Sequence, residues 1–464
     1  MNDSKHHGYD DWSERWEKVR AATCGQSEVK ALGERVLPKL NGHEQRDYHA
    51  YLKGAVYTNY TGRTMEGLIG MVFRKEPAKE IPAAFERIYS DLDLKGNTTA
   101  QVSRMVLEEV MQTGGFGLLV EYPQRPADPI SRATAETLNL RPYVSCYPRE
   151  SILDWRMERV NNSMQPTMIK LREMIDVWAA DYTCKKVEQI RMLVLEGGYI
   201  QRVYQKSEKG EWVQIGEDII PTLNGSPLAF IPFWAFGPKM NSLDFQPAPL
   251  EDLADVNMAH FRTSASYERG CLFTGAPTPV LAGFVLEENQ KVVLGSTTAV
   301  TTSDPNAKWG YLEFTGQGLG ELTNNMKMKE AQMAALGARM LAPEKSGVEA
   351  EGTLKMRSNG ESSALAGLVN QTSKGMQQVL AFMALWDGLS DNVTYKMNTD
   401  YMPQGMSAQD LLAIVKAWQS NAITKKTMFE NLQHGEIISE AESFEDYNEE
   451  LAESEPLGMV NEPE

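Results

Sequence analysis

The sequence predicts an α+β fold, and three observations carry that prediction. Thr98 with Gln101 three residues later forms a capping-box pattern, and apolar residues at helical spacing, then Gly114-Gly115 and a buried strand over 116–122, follow it. Residues 142–236 carry apolar alternation and turn signals in place of helical periodicity. Helical periodicity returns after Pro249 and is interrupted by a strand-and-turn stretch over 275–314. With 464 residues the chain exceeds the usual size of one core, so two or more substructures are expected.

Taken in order, the segment up to Leu40 mixes charge with Trp12 and Trp16 and reads as a short helix plus an extended arm. Residues 44–73 are a helical candidate carrying Tyr48, Leu52, Val56, Leu68 and Val72. Gly54, Gly62, Gly67 and Gly70 weaken it, so either packing stabilises it or it breaks midway. Pro77 and Pro82 mark a loop. Val102, Met105, Val106 and Val110 then line one stripe of the capped helix. In the strand-rich part, Ile190, Met192 and Val194 alternate, Glu196-Gly197-Gly198 offers a hairpin turn, and Tyr199, Gln201 and Val203 return. Residues 212–215 and 230–234 are further strands, the last at a sheet edge because Pro232 cannot donate to a ladder.

The helix over 250–273 has Leu250, Leu253, Asn257 and Phe261 on one side. Its first turn is acidic, with Arg262 and Arg269 later, an order that suits the helix dipole. Residues 321–341 form a helix rich in Met and Ala, 342–360 a loop, and 362–386 a long helix. Two helices are expected in 408–432. From Glu430 onward the chain has twelve acidic residues and neither Lys nor Arg, so this tail is either disordered or a solvated helix.

Composition bounds the function. The chain is 42% apolar and 23% charged, has no apolar run of membrane-spanning length, and begins with a polar segment unlike a signal peptide. It is expected to be made in a cytoplasm, with no membrane partner. Cys24, Cys146, Cys184 and Cys271 are scattered and are expected to be reduced and mostly buried. The formal net charge of −17 opposes a tight grip on duplex DNA, which needs cations to displace counterions, yet suits a surface that meets DNA without holding it.

Motifs for catalysis are absent from the sequence. The stretch from Gly347 to Lys355 approaches a phosphate loop, but its lysine is displaced and Glu349 and Glu351 sit in the would-be anion cradle. Gly114, Gly115 and Gly117 follow a helix and precede a strand, the reverse of a dinucleotide fingerprint. His6, His7, His43, His49, His260 and His434 lack helical metal-ligand spacing, and no nucleophile elbow occurs. The expectation is therefore a non-enzyme with no catalytic residue, cofactor or metal.

The order of segments carries a resemblance. The stretch from Tyr48 to Lys75 (YHAYLKGAVYTNYTGRTMEGLIGMVFRK), that from Met111 to Pro123 (MQTGGFGLLVEYP), and that from Leu250 to Glu268 (LEDLADVNMAHFRTSASYE) leading into GAPTPV at 275–280 resemble a tailed-bacteriophage portal family. That family was long catalogued as a domain of unknown function. The resemblance covers about residues 10–440 and rests on serial arrangement, not on a catalytic signature. It implies a portal-type fold: arm and wing over 1–245, a stem helix over 246–275, a β-rich clip over 276–314 and a second stem helix over 315–341. A tunnel loop would occupy 342–360, a wing helix and its return 361–402, and a helical crown with the acidic tail 403–464.

It further implies a ring, a dodecamer, at one capsid vertex of a virion, through which double-stranded DNA is packaged and ejected without sequence specificity. The implied partners are the terminase large subunit, which would carry the ATP chemistry, then head–tail adaptor proteins and capsid or scaffold proteins. Lys345, Glu349, Glu351 and Lys355 would line the DNA tunnel. Two other readings stand beside it: a different head or connector protein of a virion, and an unrecognised hydrolase whose carboxylates sequence spacing does not reveal.

Overall fold

The computed structural model describes residues 4–42, 44–123, 134, 137–276, 278–283, 304–312, 315–340, 363–401, 408–420, 422–435, 437–438 and 443–453. The described residues mix helix and sheet and divide into two compact units, Met1–Gly347 with Ser362–Asn398, and Val348–Glu361 with Thr399–Glu464.

The first unit opens on α1 (Tyr9–Cys24), which buries Trp16, Val19 and Ala22, and α2 (Gln26–Ala31), after Gly25 in the left-handed region. The extended arm predicted for this segment is therefore helical. Trp16 finds its burial against Leu153 and Ile190 of strands more than a hundred residues away, which local sequence does not announce. The single helix considered for 44–73 is two, α3 (Gln45–Gly54) and α4 (Tyr60–Val72). The chain turns extended at Ala55 and re-enters helix at Asn59, whose side chain accepts the Gly62 N–H and donates to the Thr23 carbonyl oxygen at 2.8 Å. A Cβ on Gly62 would lie 2.4 Å from that same carbonyl oxygen, so glycine is what lets α4 start against the end of α1.

After β1 (Ala78–Glu80) and the short α5 (Glu86–Tyr89), α6 (Thr99–Thr113) begins with both halves of its capping box formed. It ends on Gly114 at φ 70°, where a Cβ would meet the Gln246 carbonyl oxygen at 2.0 Å. The wholly buried β2 (Phe116–Glu121) follows. β3 (Tyr143–Pro148) pairs with it. An antiparallel five-stranded sheet then runs in chain order: β4 (Ile152–Val160), β5 (Ser163–Trp178), β6 (Cys184–Leu195), β7 (Tyr199–Lys206) and β8 (Trp212–Gln214). The turn at 196–198 closes as expected, with Gly197 at φ 71° and Leu195 opposite Tyr199. A small hairpin, β9 (Thr222–Leu223) and β10 (Ser226–Pro227), leads to β11 (Phe233–Phe236), the edge of the sheet β11-β2-β3, where Pro232 predicts an edge.

Two ionic clusters join these layers. Arg20 of α1 holds Glu109 of α6 and Glu150 ahead of β4. Arg191 of β6 reaches Glu121 of β2 at 2.6 Å and Glu173 of β5 at 2.8 Å, while Tyr147 of β3 donates to Glu173 and Ser145 to Glu121. Burial acts against the Arg191 charge, but Tyr147, Glu121 and Glu173 outweigh it and hold the guanidinium above its ordinary range. The four cysteines are free, as predicted, but their burial is not: Cys24 and Cys184 are exposed, Cys146 and Cys271 partly so. Cys24 ends α1 at the surface, and Cys184 opens β6 where β5 and β6 outrun the rest of the sheet. Burial pushes the Cys146 thiol up to about 12.

The remaining elements of this unit are α7 (Glu251–Gly275), the hairpin β12 (Thr278–Ala282) and β13 (Lys308–Leu312), α8 (Leu319–Arg339), α9 (Ala364–Trp386) and β14 (Thr394–Lys396), which pairs with β1. Ser363 caps α9, whose apolar stripe packs on α6, β2 and β11. The second unit holds α10 (Ala408–Gln419), α11 (Lys425–His434) and α12 (Phe444–Glu453), with Phe429 packed on the rings of Phe444 and Tyr447. Part of the acidic tail is thus helical.

Replacing Arg191 by Met leaves Glu121 and Glu173 facing each other without a cation, so urea unfolding should show a loss of roughly 3 kcal/mol. Adding Glu121→Gln and Glu173→Gln should restore most of it.

Candidate functional site: a helix pair with an apolar tip

α7 has 25 residues and is roughly 37 Å long, yet its buried residues all lie in the first part, from Leu253 to Ala265. That half is bound into the body at several points. Glu251 pairs with Arg15, and Arg15 with Lys18 nearby holds its carboxyl below the usual carboxylate range. Arg262 donates to the Val36 carbonyl oxygen at 2.7 Å. Between them, fully buried Asn257 accepts from the Thr61 amide at 3.1 Å and the Thr61 hydroxyl at 2.9 Å, and donates to the Thr58 carbonyl oxygen at 3.0 Å. The Tyr57 hydroxyl lies 2.8 Å from both Asn257 Oδ1 and the Ala22 carbonyl oxygen, so its one hydrogen serves two acceptors. Burial raises the Tyr57 phenol well above its ordinary value.

From Ser266 onward α7 has no buried residue, and α8, with 21 residues, buries only Met333. Polar side chains meet across the seam between the two helices. His260 Nε2 lies 3.3 Å from Glu330, Lys329 donates to the Ala259 carbonyl oxygen and the Thr263 hydroxyl, and Thr263 faces Asn325. Burial, then the Arg262 charge, lowers the Lys329 ammonium. Gly270 brings the helices together at the far end, where a Cβ would lie 2.6 Å from Leu319. At the near end Gly337 sits beside Thr64, and the Leu365 amide donates to the Met340 carbonyl oxygen, returning the chain to the body.

The tip is apolar and uncovered. Leu272 is 66% exposed and Leu312 67%, with Phe273, Val280, Trp309 and Tyr311 also open. In the β12–β13 register Trp309 and Tyr311 share one face and Val280 and Leu312 the other, so neither face of this hairpin is buried. A two-stranded ribbon with both faces wet is marginal in water. On α8, Met328, Ala331, Ala335 and Ala338 follow helical spacing and are all exposed.

The predicted tunnel residues Lys345, Glu349, Glu351 and Lys355 lie outside the described residues, as does the loop from Gly347 to Lys355 and as does His43. Among the described residues no three His, Cys, Asp or Glu side chains gather in a way that would hold a metal ion. No helix among them is long and apolar enough to cross a membrane. A groove of about 680 Å³ is lined by Glu121, Tyr143, Arg191, Gln201 and Trp386, but Glu121 and Arg191 there are engaged with each other. Sequence reasoning placed Asn257 on an apolar helix side without giving it a role. A carboxamide in register with Leu253 and Phe261 is the signal that marks it.

A family described as a domain of unknown function (DUF4055) matches residues 249–387, the segment from α7 to α9. Among curated proteins none matches the chain. Solved structures similar to it include the neck of an empty gene transfer agent particle computed with C6 symmetry, at 11% identity over 79% of this chain and 86% of that one, with a TM-score of 0.36. The neck of the native particle computed with C12 symmetry is similar at 10% identity over 86% and 96%, TM-score 0.34. The virion of the native gene transfer agent particle follows at 11% over 85% and 94%, TM-score 0.35. At TM-scores this low nothing about those particles passes to this chain.

Asn257→Ala should cost roughly 3 kcal/mol in denaturant unfolding, because the Thr61 amide and Thr58 carbonyl lose their partner in a dry site. Leu272→Ser and Leu312→Ser should change stability by less than about 0.5 kcal/mol and reduce binding of a hydrophobic dye.

Proposed function

We propose that this chain is the subunit of a portal, a homo-oligomeric ring at the vertex of a viral capsid through which duplex DNA passes. The observation that carries the reading is α8, a long helix that buries only Met333 within its own chain. Helices of this kind gain their stability from packing, and the face of α8 turned away from α7 is open to a partner. A neighbouring copy offers the same helix pair, and a closed ring covers every copy alike. In this reading α7 and α8 are the stem, β12–β13 the clip, the elements before Leu250 the wing, and α10–α12 the crown. The serial resemblance of residues 48–75, 111–123 and 250–280 to the portal family supports the same assignment, and the family match over 249–387 falls on the segment that would form stem and tunnel loop.

The open tip formed by Leu272, Phe273, Trp309 and Leu312 then serves as a docking surface, for the terminase large subunit during packaging and for adaptor proteins afterwards. Lys345, Glu349, Glu351 and Lys355 belong to the tunnel loop. The net charge of −17 favours passage over retention, since a phosphate grip requires clustered cations. The ring is a conduit with no reaction of its own.

Native mass and class averages from electron microscopy test this. A dodecameric ring with an open channel is the expected result, and a compact dimer with a closed cleft would sink the proposal. The double variant Met328→Asp with Ala335→Asp should keep the circular dichroism of the folded chain and lose the ring, because each carboxylate buried at a contact costs at least about 2 kcal/mol.

A further inference from the structure

Residues 4–8 lie as a strap on the five-stranded sheet. Buried Lys170 of β5 donates to the Ser4 carbonyl oxygen at 2.7 Å and the Ser4 hydroxyl at 3.0 Å, and the His6 amide donates to the Leu153 carbonyl oxygen at 2.8 Å. The His6 imidazole stacks flat on Trp155 at 4.2 Å between centroids and meets the edge of Phe245 at 5.1 Å. Its Nδ1 accepts the Gly8 amide at 3.4 Å, in the turn that starts α1. That contact needs a bare Nδ1, so the docked ring is the neutral Nε2–H tautomer.

The surroundings disfavour a second cation. Buried Arg149 already lies 4.8 Å from the Trp155 ring and 4.5 Å from that of Phe245, and burial holds its guanidinium down at about 10, still charged at neutral pH. The charged and titratable groups around His6 are His7 on the strap, Arg149 before β4, Asp154 on β4, Lys170 on β5, Asp244 beside Phe245, and Lys5 paired with Asp10 of α1. Burial first, then His7 and Arg149, lower the imidazole below its ordinary 6.5; Asp154 and Asp244 oppose them and are outweighed.

We propose that His6 is an acid-sensitive latch whose protonation releases residues 4–8 from the sheet and uncovers the face of Trp155 and the edge of Phe245. The proton that arrives on Nδ1 turns the Gly8 contact into donor against donor and places imidazolium beside Arg149. Because the docked state prefers neutral His6, docking is complete above the free histidine value of 6.5 and is lost as pH falls below it towards the lower docked value.

Hydrogen–deuterium exchange of the full chain, corrected for intrinsic rates and followed by mass spectrometry at about pH 7.5 and about pH 5.5, tests the latch. In the wild type the amides of residues 6–9 should be protected at the higher pH and lose that protection at the lower, while amides of α6 and β2 stay protected at both. His6→Gln, which retains an acceptor for Gly8 and cannot charge, should stay protected throughout, and His7→Gln should still switch. The proposal fails if the wild type keeps its protection at the lower pH, or if His6→Gln loses it over the same interval. It also fails if His6→Phe, which keeps the stacking and lacks Nδ1, stays protected at the higher pH while His6→Gln does not, since His6 would then be a steric anchor alone.

Discussion

The carboxamide of Asn257 is the contact on which the rest of the molecule's useful geometry depends. It ties α7 to the start of α4 through Thr58 and Thr61, and through Tyr57 to the end of α1. Apolar contacts such as Phe261 on Tyr57 hold a helix in place but tolerate small rotations about its axis. A buried amide with directed partners does not, because leaving Thr61 N–H or Thr58 C=O unmatched in a dry site costs more than the bond itself contributes. The rotation of α7 is thereby fixed, and with it which residues beyond Phe261 face α8 and which face outward.

That fixed rotation sets which groups meet across the helix pair. Two helices joined into a hairpin ordinarily place apolar residues in the seam and polar ones outside. Here His260, Thr263, Asn325, Lys329 and Glu330 share the seam with Leu319 against Gly270, while Met328 and the alanines at 331, 335 and 338 are exposed. Hydrogen bonds set the register of α7 against α8 without supplying much burial. The exposed small residues with a flexible methionine suit close approach of another helix. The same logic extends to the hairpin at the end of the pair, where two apolar faces are open at once.

Local signals in the sequence predicted the elements well where the determinants are local. Thr98 and Gln101 mark the start of α6, Gly114 marks its end, Gly197 marks the β6–β7 turn, and Pro232 marks an edge strand; each acts through its own backbone within a few residues. The misses have distant causes. The helicity of the first segment depends on Trp16 finding Leu153 and Ile190, while the midway break left open for 44–73 is fixed by Asn59 reaching the Thr23 carbonyl. The Arg191 cluster draws its partners from β2, β3 and β5, which no spacing rule links. The exposure of Cys184 follows from β5 and β6 extending past their neighbours, a property of register. For the site, the two helices were legible from periodicity, whereas the role of Asn257 required its partners to be seen.

Charge adds a last step. Two arginines of the first unit are spent on partners that carry no negative charge: buried Arg149 lies among aromatic rings and donates to the Leu243 carbonyl oxygen, and exposed Arg262 donates to the Val36 carbonyl oxygen. Arg20 and Arg191 each draw in two carboxylates, Glu109 with Glu150 and Glu121 with Glu173, so each cluster withdraws one more negative than positive charge. These terms largely cancel, and the accessible surface stays about as acidic as the whole-chain charge of −17 indicates. In the proposed ring an excess of that sign, repeated from copy to copy, would disfavour a lasting grip on a polyanion, because such a grip needs clustered cations to displace its counterions.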